Sequence, residues 1–210
     1  LRFLEEQNLL VRTHGGASLS VDDDISHRLS INYSRKLKIA RAAANEIEDG
    51  ETILLEAGSS VALLAQTLSS RKNLNIITNN AFVARQLKDS QGINVILIGG
   101  VYQKNSETMV GPMVKEYLSY YNFSKVFMGI DGFTMEQGAM CRDLDRSEVM
   151  SEFVRKGDKV YILSDSDKIG KTEIRSICRA EEIDYFVTDS GVSDEYRQFF
   201  RENGIELIMT

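Results

Sequence analysis

The sequence contains few of the residues that build metal sites and disulfide frameworks. Its 210 residues include two cysteines and two histidines. Cys141 and Cys178 lie far apart in the sequence, and neither they nor His14 and His27 show the spacing of metal ligands. We therefore expect reduced thiols, no bound metal and a cytoplasmic location.

The sequence also lacks long apolar runs and an excess of positive charge. No stretch of about 18 apolar residues is present, so we expect no membrane-spanning helix. The first residues do not form the basic and apolar pattern of a signal segment, so we expect no signal peptide. The formal net charge of −6 argues against a broad basic patch for nucleic acid, so any contact with DNA should come from another segment.

The chain length and the 42% hydrophobic content suit one domain with a substantial core. Within it, short apolar strands alternate regularly with helices. Strands are predicted over 52–55, 74–77, 95–98, 125–128, 160–163, 185–187 and 205–209, and helices over 36–47, 61–68, 81–87, 113–120, 147–154 and 194–202. This alternation predicts an α/β fold with a mostly parallel sheet and helices on both faces. In such a sheet, ligands lie in the crevice outside the carboxyl ends of the strands.

The most informative stretch is the turn that follows the first predicted strand. Glu56 ends an apolar run, and Gly58, Ser59 and Ser60 lead directly into a helix. The first N–H groups of a helix lack intrahelical partners, so such a turn can bind an anion such as phosphate. One serine could cap the helix while the other joins the donors, and Glu56 could accept hydrogen bonds from sugar hydroxyls. An ordinary strand–helix turn with a good cap is the alternative interpretation.

Polar residues and glycines also follow four other predicted strands. They are Thr78, Asn79 and Asn80; Gly99 and Gly100; Asp131 and Gly132; and Asp165 with Lys168. Each of these residue types also makes turns and helix caps, so a single match indicates little. Because five strand ends carry this chemistry, the sequence predicts a polar ligand pocket at the carboxyl edge of the sheet.

Several segments together resemble the DeoR family of transcriptional regulators, over nearly the whole chain. Residues 4–17 resemble the end of the family's winged helix-turn-helix, its wing and the following linker, and Arg28 with Lys36-Leu37-Lys38-Ile39-Ala40 resembles the start of the sensor domain. The other matching segments follow in family order: Glu56-Ala57-Gly58-Ser59-Ser60, Ile77-Thr78-Asn79-Asn80, Ile98-Gly99-Gly100, Gly129-Ile130-Asp131-Gly132 and Asp165-Ser166-Asp167-Lys168-Ile169-Gly170. Glu56 stands where the family usually has Asp, and Ser59 and Ser60 stand where it often has Thr.

The resemblance implies a fold similar to ribose-5-phosphate isomerase and the CoA transferases. It implies that residues 1–18 are a remnant of the wing with the start of the linker, and that residues 19–210 are the effector-binding sensor domain. It also implies a homo-oligomeric repressor of sugar metabolism, which contacts operator DNA through an N-terminal domain absent from this chain. The effector would be a phosphorylated sugar or polyol, and its binding would reach the DNA-binding part through the flexible segment from Gly15 to Asp24.

We expect the phosphate at Gly58-Ser59-Ser60, with Lys168 or Arg142 as the countercharge. Arg142 and Glu148 belong to a charged segment that fits the family's variable, effector-facing part. A solvated loop before a helix is the alternative interpretation of that segment.

An active sugar-phosphate isomerase or deaminase of the same fold is the alternative function. Such an enzyme needs a base beside a substrate carbon, and Asp131 or Glu148 could serve, with Lys168 as an electrostatic partner. However, Asp131-Gly132 is followed by Phe133-Thr134-Met135, where the isomerase has an acid-rich turn. We therefore expect a sensor with no catalytic residues and no cofactor. A third possibility is an α/β domain without a ligand.

Overall fold

The computed structural model describes the backbone of residues 10–13 and 16–19 and all of residues 24–210. Strands β1 (Leu10–Thr13) and β2 (Gly16–Leu19) pair antiparallel, with Leu10 opposite Leu19. His14, Gly15 and residues 20–23 lie outside the described residues, whereas Gly16–Leu19 of the predicted linker form β2. The assignment of residues 1–18 to a wing and of residues 19–210 to the sensor stays a prediction.

A seven-stranded sheet organises the rest of the chain. Its strands are β3 (Thr52–Leu55), β4 (Leu74–Thr78), β5 (Ile93–Leu97), β8 (Lys125–Gly129), β11 (Lys159–Leu163), β13 (Tyr185–Thr188) and β14 (Glu206–Met209). Neighbouring strands all run parallel, in the order β14-β13-β11-β8-β3-β4-β5. The predicted parallel sheet is therefore confirmed, and each predicted strand lies within two residues of its observed bounds.

Seven helices are described, and they cover both faces of this sheet. They are α1 (Ile25–Ser30), α2 (Tyr33–Asn45), α3 (Ser59–Leu68), α4 (Ala81–Gln86), α5 (Pro112–Leu118), α6 (Leu144–Lys156) and α7 (Asp194–Glu202). Because side chains alternate along a strand, Ile53 and Leu55 join one buried cluster with α1 to α4. Leu54 joins the other cluster, with α5 to α7. The predicted layers are thus confirmed.

Two small antiparallel sheets are additions that the sequence patterns did not predict. Strands β6 (Val101–Gln103) and β7 (Thr108–Val110) form a hairpin after the edge strand β5. Strands β9 (Gly132–Thr134), β10 (Gly138–Cys141) and β12 (Arg175–Cys178) form a three-stranded sheet after β8. Strands of three or four residues are too short to show a clear alternation in sequence. Both sheets nevertheless help to build the carboxyl edge.

The order of the strands places a switch point between β3 and β8. The chain runs outward from β3 to β4 and β5, and then returns to β8 on the other side of β3. The loops that leave β3 and β8 therefore diverge, which opens the crevice where ligands bind in this class of sheet. Gly58 has a positive φ of 122°, and a Cβ atom there would lie 3.7 Å from the Cα atom of Gly129. The loop after β3 therefore begins directly against the end of β8, and the two loops separate beyond this point.

Candidate functional site

A buried acid–base pair lies at the carboxyl end of β3. Glu56 is fully buried there, and its Oε1 atom lies 3.5 Å from Nη2 of Arg146, which is 3% exposed. Asp143 caps α6 by accepting a hydrogen bond from the Arg146 N–H, and this cap sets where Arg146 enters the site. Burial raises the pKa of Glu56 to about 7, although Arg146 acts in the opposite direction. The Oε2 atom of Glu56 has no hydrogen-bond partner among the described residues.

A second ion pair lies at the carboxyl end of β8. Asp131 Oδ1 accepts a 2.7 Å hydrogen bond from Nη2 of Arg28 on α1, and Oδ2 accepts one of 3.1 Å from the backbone N–H of Arg142. Burial alone would raise the pKa of Asp131, but Arg28, Arg146 and Lys168 hold it well below its usual range. Asp131 is therefore a carboxylate at neutral pH.

Two lysines complete the charged group. Lys168, in a short 3-10 turn after Asp165, donates to the carbonyl oxygen of Ile130. Lys36 of α2 donates a 2.6 Å hydrogen bond to the carbonyl oxygen of Arg28. Burial lowers the pKa of both lysines, that of Lys36 to about 8, and the charge of Lys168 lowers the pKa of Lys36 further.

We call these seven residues the charged cluster: Arg28, Lys36, Glu56, Asp131, Arg146, Asp165 and Lys168. With every member ionised, four positive charges and three negative charges leave an excess of one positive charge. The excess grows when Glu56 binds a proton, which its raised pKa permits near neutral pH. The cluster is therefore suited to an anion, and its carboxyl groups can also accept hydrogen bonds from hydroxyls.

A narrow pocket lies between this cluster and the first turn of α3. Its lining residues are Ile25, Arg28, Ala57, Gly58, Ser106 and Arg146. Gly58 is the N-cap of α3, so the free N–H groups of that helix begin at this pocket. The expectation that Ser59 or Ser60 caps the helix is wrong, because both are the first helical residues and Gly58 takes the cap position without a side-chain bond. Neither serine hydroxyl makes a hydrogen bond to another described residue, so both remain possible donors.

The predicted polar residues after β4 form a different, neutral network. The amide nitrogen of Asn79 donates to the carbonyl oxygen of Met109 at 2.9 Å, and that of Asn80 donates to the carbonyl oxygen of Ser106 at 2.7 Å. The Asn80 side-chain oxygen caps α4, and the Thr78 hydroxyl accepts from the Asn80 N–H. These bonds attach the β6–β7 hairpin to the sheet. They reach the pocket through Ser106, which lines it.

The structure places the remaining predicted residues at the margin of the cluster. Gly99 and Gly100 follow the edge strand β5, beyond β4. The guanidinium of Arg142 is held by Glu173 at 2.8 Å, and Glu148 pairs with Lys115 and Arg175 on the exposed side of α6. Gly132 begins β9, where an added Cβ would lie 2.4 Å from the carbonyl oxygen of Lys171. Packing therefore accounts for Gly132. Ligand contacts by Gly99, Gly100, Arg142 and Glu148 stay predictions.

Three members of the charged cluster had no predicted role. Arg28 and Lys36 stand in the segments used for the family resemblance, and Arg146 stands in the charged segment before α6. Sequence patterns showed charged residues at these positions, and charged residues usually lie on the surface. Their burial follows from the tertiary structure, which brings α1, α2 and α6 to one edge of the sheet.

A second cavity lies at the opposite edge of the sheet. It has a volume of about 420 Å³ and is lined by Thr52, Asn122, Phe123, Ser124, Lys156 and Asp158. It is larger than the pocket at α3, but it lies at the amino ends of the strands, where this fold does not bind ligands. The charged cluster is at the other edge, so we assign the candidate site there.

Three further observations concern metal sites, the two cysteines and membrane-spanning helices. Among the described residues, no group of three or more His, Cys, Asp or Glu side chains could hold a metal ion. Cys141 and Cys178 are free and buried, and burial raises the pKa of each thiol to about 12. In the part of the chain that the structure describes, no helix has the length and apolar character needed to cross a membrane.

Comparison with known proteins agrees with this architecture. A family model described as the DeoR C terminal sensor domain matches residues 31–190. The transcriptional repressor GlcR of Bacillus subtilis is 33% identical over 99% of this chain and 81% of that protein. The transcriptional regulator GolR of Listeria innocua is 31% identical over 98% and 82%. The glycerol-3-phosphate regulon repressor of Escherichia coli is 26% identical over 99% and 83%.

Solved structures are similar in fold alone. Ribose 5-phosphate isomerase A from Methanocaldococcus jannaschii superposes with a TM-score of 0.50 and 18% identity, over 66% of this chain and 55% of that chain. The eIF2B beta protein from Chaetomium thermophilum gives a TM-score of 0.54 and 13% identity, over 81% and 54%. The expected likeness to ribose-5-phosphate isomerase is confirmed for the fold. The relatives by sequence are transcriptional regulators and not enzymes, so the isomerase alternative loses its support.

Proposed function

The chain belongs to the DeoR family of transcriptional regulators, and from this premise we propose that its sensor domain binds a small phosphorylated sugar or polyol at the charged cluster. Binding changes how the regulator engages operator DNA, which it contacts through a part of the protein outside the described residues. The relatives include repressors of sugar-related genes, and one of them is named for a glycerol phosphate regulon. A phosphorylated polyol or sugar is therefore the ligand class that the family membership favours.

The observation that carries the proposal is the grouping of four cations and three carboxyl groups, all buried or partly buried, at the switch point of the sheet. Taking a charge out of water costs several kcal/mol, and ion pairs offset this only when their geometry is good. The Glu56–Arg146 pair is long, at 3.5 Å, and Lys36 is buried with a lowered pKa. Such a group lowers the stability of the folded protein, so its presence calls for a functional explanation. An anionic ligand provides one, because it would compensate the excess positive charge.

We place the phosphate group against the first turn of α3, at Gly58-Ser59-Ser60. The free N–H groups of a helix start and the serine hydroxyls are suitable donors for phosphate oxygens. Arg28 and Arg146 line the same pocket, so they are better situated as countercharges than Arg142, whose guanidinium is held by Glu173. The carboxyl groups of Glu56 and Asp131 then accept hydrogen bonds from sugar or polyol hydroxyls.

A thermal-shift panel tests the proposal on the 210-residue chain. The probes are inorganic phosphate, glycerol 3-phosphate, fructose 1-phosphate, glucose 6-phosphate and the unphosphorylated glycerol, fructose and glucose. A probe present at about 100 times its dissociation constant should stabilise the fold by about 2.7 kcal/mol. Stabilisation by none of the phosphorylated probes, or equal stabilisation by their unphosphorylated counterparts, would contradict a phosphate sensor.

Paired substitutions at the two ends of α3 locate the phosphate. Charge-assisted hydrogen bonds contribute about 1.5–3 kcal/mol each, so Ser59→Ala with Ser60→Ala should weaken a phosphorylated probe by about tenfold or more. Ser69→Ala with Ser70→Ala is the matched control, because those serines are exposed at the other end of the same helix. If both double variants bind with wild-type affinity, the phosphate does not lie at the start of α3.

A further inference from the structure

Helix α1 forms one wall of the pocket and is tied to its rim by specific bonds. Ile25 and Arg28 of α1 line the pocket. The backbone N–H of Ile25 donates a 3.1 Å hydrogen bond to the carbonyl oxygen of Asn105, in the turn of the β6–β7 hairpin. Arg28 binds Asp131 at 2.7 Å on the opposite side of the pocket, and its carbonyl oxygen accepts from Lys36. Helix α1 therefore bridges two loops of the carboxyl edge.

The pocket is narrow in this arrangement and partly open to solvent, and its lining residues lie too close together to admit a water molecule between them. A phosphate group is larger than a water molecule, so at least one wall must move before a phosphorylated ligand can reach the first turn of α3. The question is which wall moves at the lowest free-energy cost.

Of the three helices at the pocket, α1 is the shortest and has the fewest buried residues. Ala57 and Gly58 continue a central strand into a buried helix, and Arg146 lies on a 13-residue helix with four buried apolar residues. Helix α1 has six residues, of which Ile25 alone is buried. A helix this short has little stability of its own and depends on its contacts. Segments with few buried apolar contacts open at low free energy.

A two-residue turn after α1 provides a hinge. Ile31 and Asn32 separate α1 from α2, and Asn32 has a left-handed φ of 55°. Asparagine tolerates this conformation better than most residues. Asn32 and Arg35 both contact Asp167, at 3.0 and 3.3 Å, which holds the start of α2 in place. Rotation about this turn would therefore move α1 while α2 stays on the sheet.

We propose that α1 is a lid over the ligand site, and that Arg28 is its ligand-contacting side chain. This proposal rests on the proposed function, since it concerns access to the same site. The lid opens by release of the Arg28–Asp131 and Ile25–Asn105 contacts, admits the phosphorylated ligand, and closes with Arg28 against the ligand's anionic group. Because the chain that precedes Asp24 leads to the N-terminal part of the regulator, the position of the lid is coupled to the part expected to contact DNA.

A reversible disulfide lock tests whether the lid must open. The Ile25 N–H and the Asn105 carbonyl oxygen are in direct contact at 3.1 Å, so cysteines at these two positions are suitable for a disulfide, which spans Cα atoms roughly 4.4–6.8 Å apart. In Ile25→Cys/Asn105→Cys, oxidation should lower the affinity for the phosphorylated probes of the thermal-shift panel by at least about tenfold. Reduction should restore binding. The native Cys141 and Cys178 are buried, so they should not interfere.

The outcomes of this lock separate the two proposals. Equal binding by the oxidised and reduced forms would overturn the lid and leave the sensor function standing. If neither the reduced form nor the wild type binds any phosphorylated probe, the sensor function fails, and the lid proposal fails with it. The single variant Asn105→Cys, treated with the same oxidant, should bind like the wild type.

A second pair of variants tests Arg28 without a disulfide. Arg28→Met should weaken the phosphorylated probes by about tenfold or more, because it removes a charge-assisted contact. Arg155→Met is the matched control, since Arg155 also pairs with a carboxylate, that of Glu152, but is 64% exposed and does not line the pocket. Hydrogen exchange adds a readout on the wild type: α1 amides should exchange faster than those of α2 and slow down on saturation with a phosphorylated probe. Equal effects of the two substitutions, or α1 exchange that the probes leave unchanged, would contradict the lid.

Discussion

The carboxyl edge of the sheet has two halves that bury polar side chains in different ways. Around β3, β8 and β11 the buried groups are charged, as with Glu56, Asp131 and Arg146. Around β4 they are neutral, and Asn79 and Asn80 donate to backbone carbonyl oxygens of the β6–β7 hairpin. The same sequence pattern, polar residues after an apolar strand, predicted a ligand site at both halves.

The difference supports our proposal that the ligand binds at the charged half. An amide can satisfy its hydrogen bonds within the protein, and its burial then has little net cost. A buried charge retains a desolvation penalty even when it is paired. The structural hydrogen bonds of Asn79 and Asn80 account for most of the neutral half, although the Asn79 Oδ1 atom has no hydrogen-bond partner among the described residues. We propose that an anion accounts for the charged half. The following substitutions test this contrast, beginning with the largest expected effect.

Loss of one partner of the buried pair in the charged half should have the largest effect on stability. Arg146→Met leaves Glu56 without its closest positive charge in a site where it is fully buried. Removal of one partner of a buried pair typically costs about 3–5 kcal/mol. Urea denaturation should show a loss of this size. The double variant Glu56→Gln/Arg146→Met should recover part of it, and a strictly additive double variant would show that the pair is not coupled.

In the neutral half, Asn80→Ala should destabilise the fold without affecting the ligand. The substitution removes the N-cap of α4 and the bonds to Ser106 and Thr108, for an expected loss of about 2–4 kcal/mol. The affinity for phosphorylated probes should change by less than about threefold, which is roughly 0.6 kcal/mol. Asn75→Ala is the matched control, because Asn75 lies on the preceding strand β4, and its side chain donates a long bond of 3.4 Å to Thr52 and accepts an exposed one of 3.1 Å from Asn94. A tenfold loss of affinity in Asn80→Ala would place the neutral half in the ligand site.

Sequence periodicity predicted the layers of the fold well because they depend on local patterns. The strand at 52–55 and the helix at 194–202 have the predicted bounds, since apolar runs end at clear polar or glycine signals. Helix α6 begins three residues before the predicted start. Asp143 caps it there, so Leu144, Asp145 and Arg146 are helical, although the predicted start left them out. Helix α1 was not predicted, because six residues are too few to show a helical period.

The candidate site was harder to predict than the fold. The predicted strand ends do meet at one edge of the sheet, because the strands are parallel, but ligand binding there stays a prediction. However, the sequence did not distinguish Asn80, which is consumed by structural hydrogen bonds, from Asp131, which belongs to the charged cluster. It also gave Arg28 and Arg146 no role. Their burial depends on how helices distant in sequence pack at the edge, and no local pattern records that packing.

The stability of the protein should depend on pH through Glu56. Burial raises its pKa to about 7 from an ordinary value of 4.5, so between these values the folded state binds more protons than the unfolded state. Stability should therefore fall as the pH rises from about 4.5 to about 7. The expected loss over this range is about 3 kcal/mol, because one pKa unit corresponds to about 1.4 kcal/mol.

Glu56→Gln provides the reference for this measurement, since a glutamine cannot titrate. Urea denaturation of both proteins between pH 5 and pH 8 should show that the advantage of the wild type over the variant is larger at pH 5 than at pH 8. Asp131 and Lys36 do not titrate between about pH 4.5 and about pH 7, because the pKa of Asp131 is lowered well below its usual range and that of Lys36 is about 8. Lys36 is present in both proteins, so its titration near pH 8 affects both. A difference between the two proteins that stays constant with pH would show that Glu56 titrates normally.

The smallest expected effect on stability is that of Gly99→Ala, which we compare with Gly100→Ala. Both glycines follow β5, at the edge of the neutral half. A Cβ atom at Gly99 would meet nothing within 4 Å, whereas one at Gly100 would lie 2.7 Å from the carbonyl oxygen of Val110 and 2.8 Å from Cγ2 of Val114. Gly99→Ala should therefore change stability by less than about 0.5 kcal/mol, and Gly100→Ala should lower it by about 1–3 kcal/mol. If Gly99 contacts the ligand through its backbone, Gly99→Ala should weaken phosphorylated probes although the fold is unaffected. Wild-type affinity and wild-type stability together would remove Gly99 from the site and leave the ligand to the charged half alone.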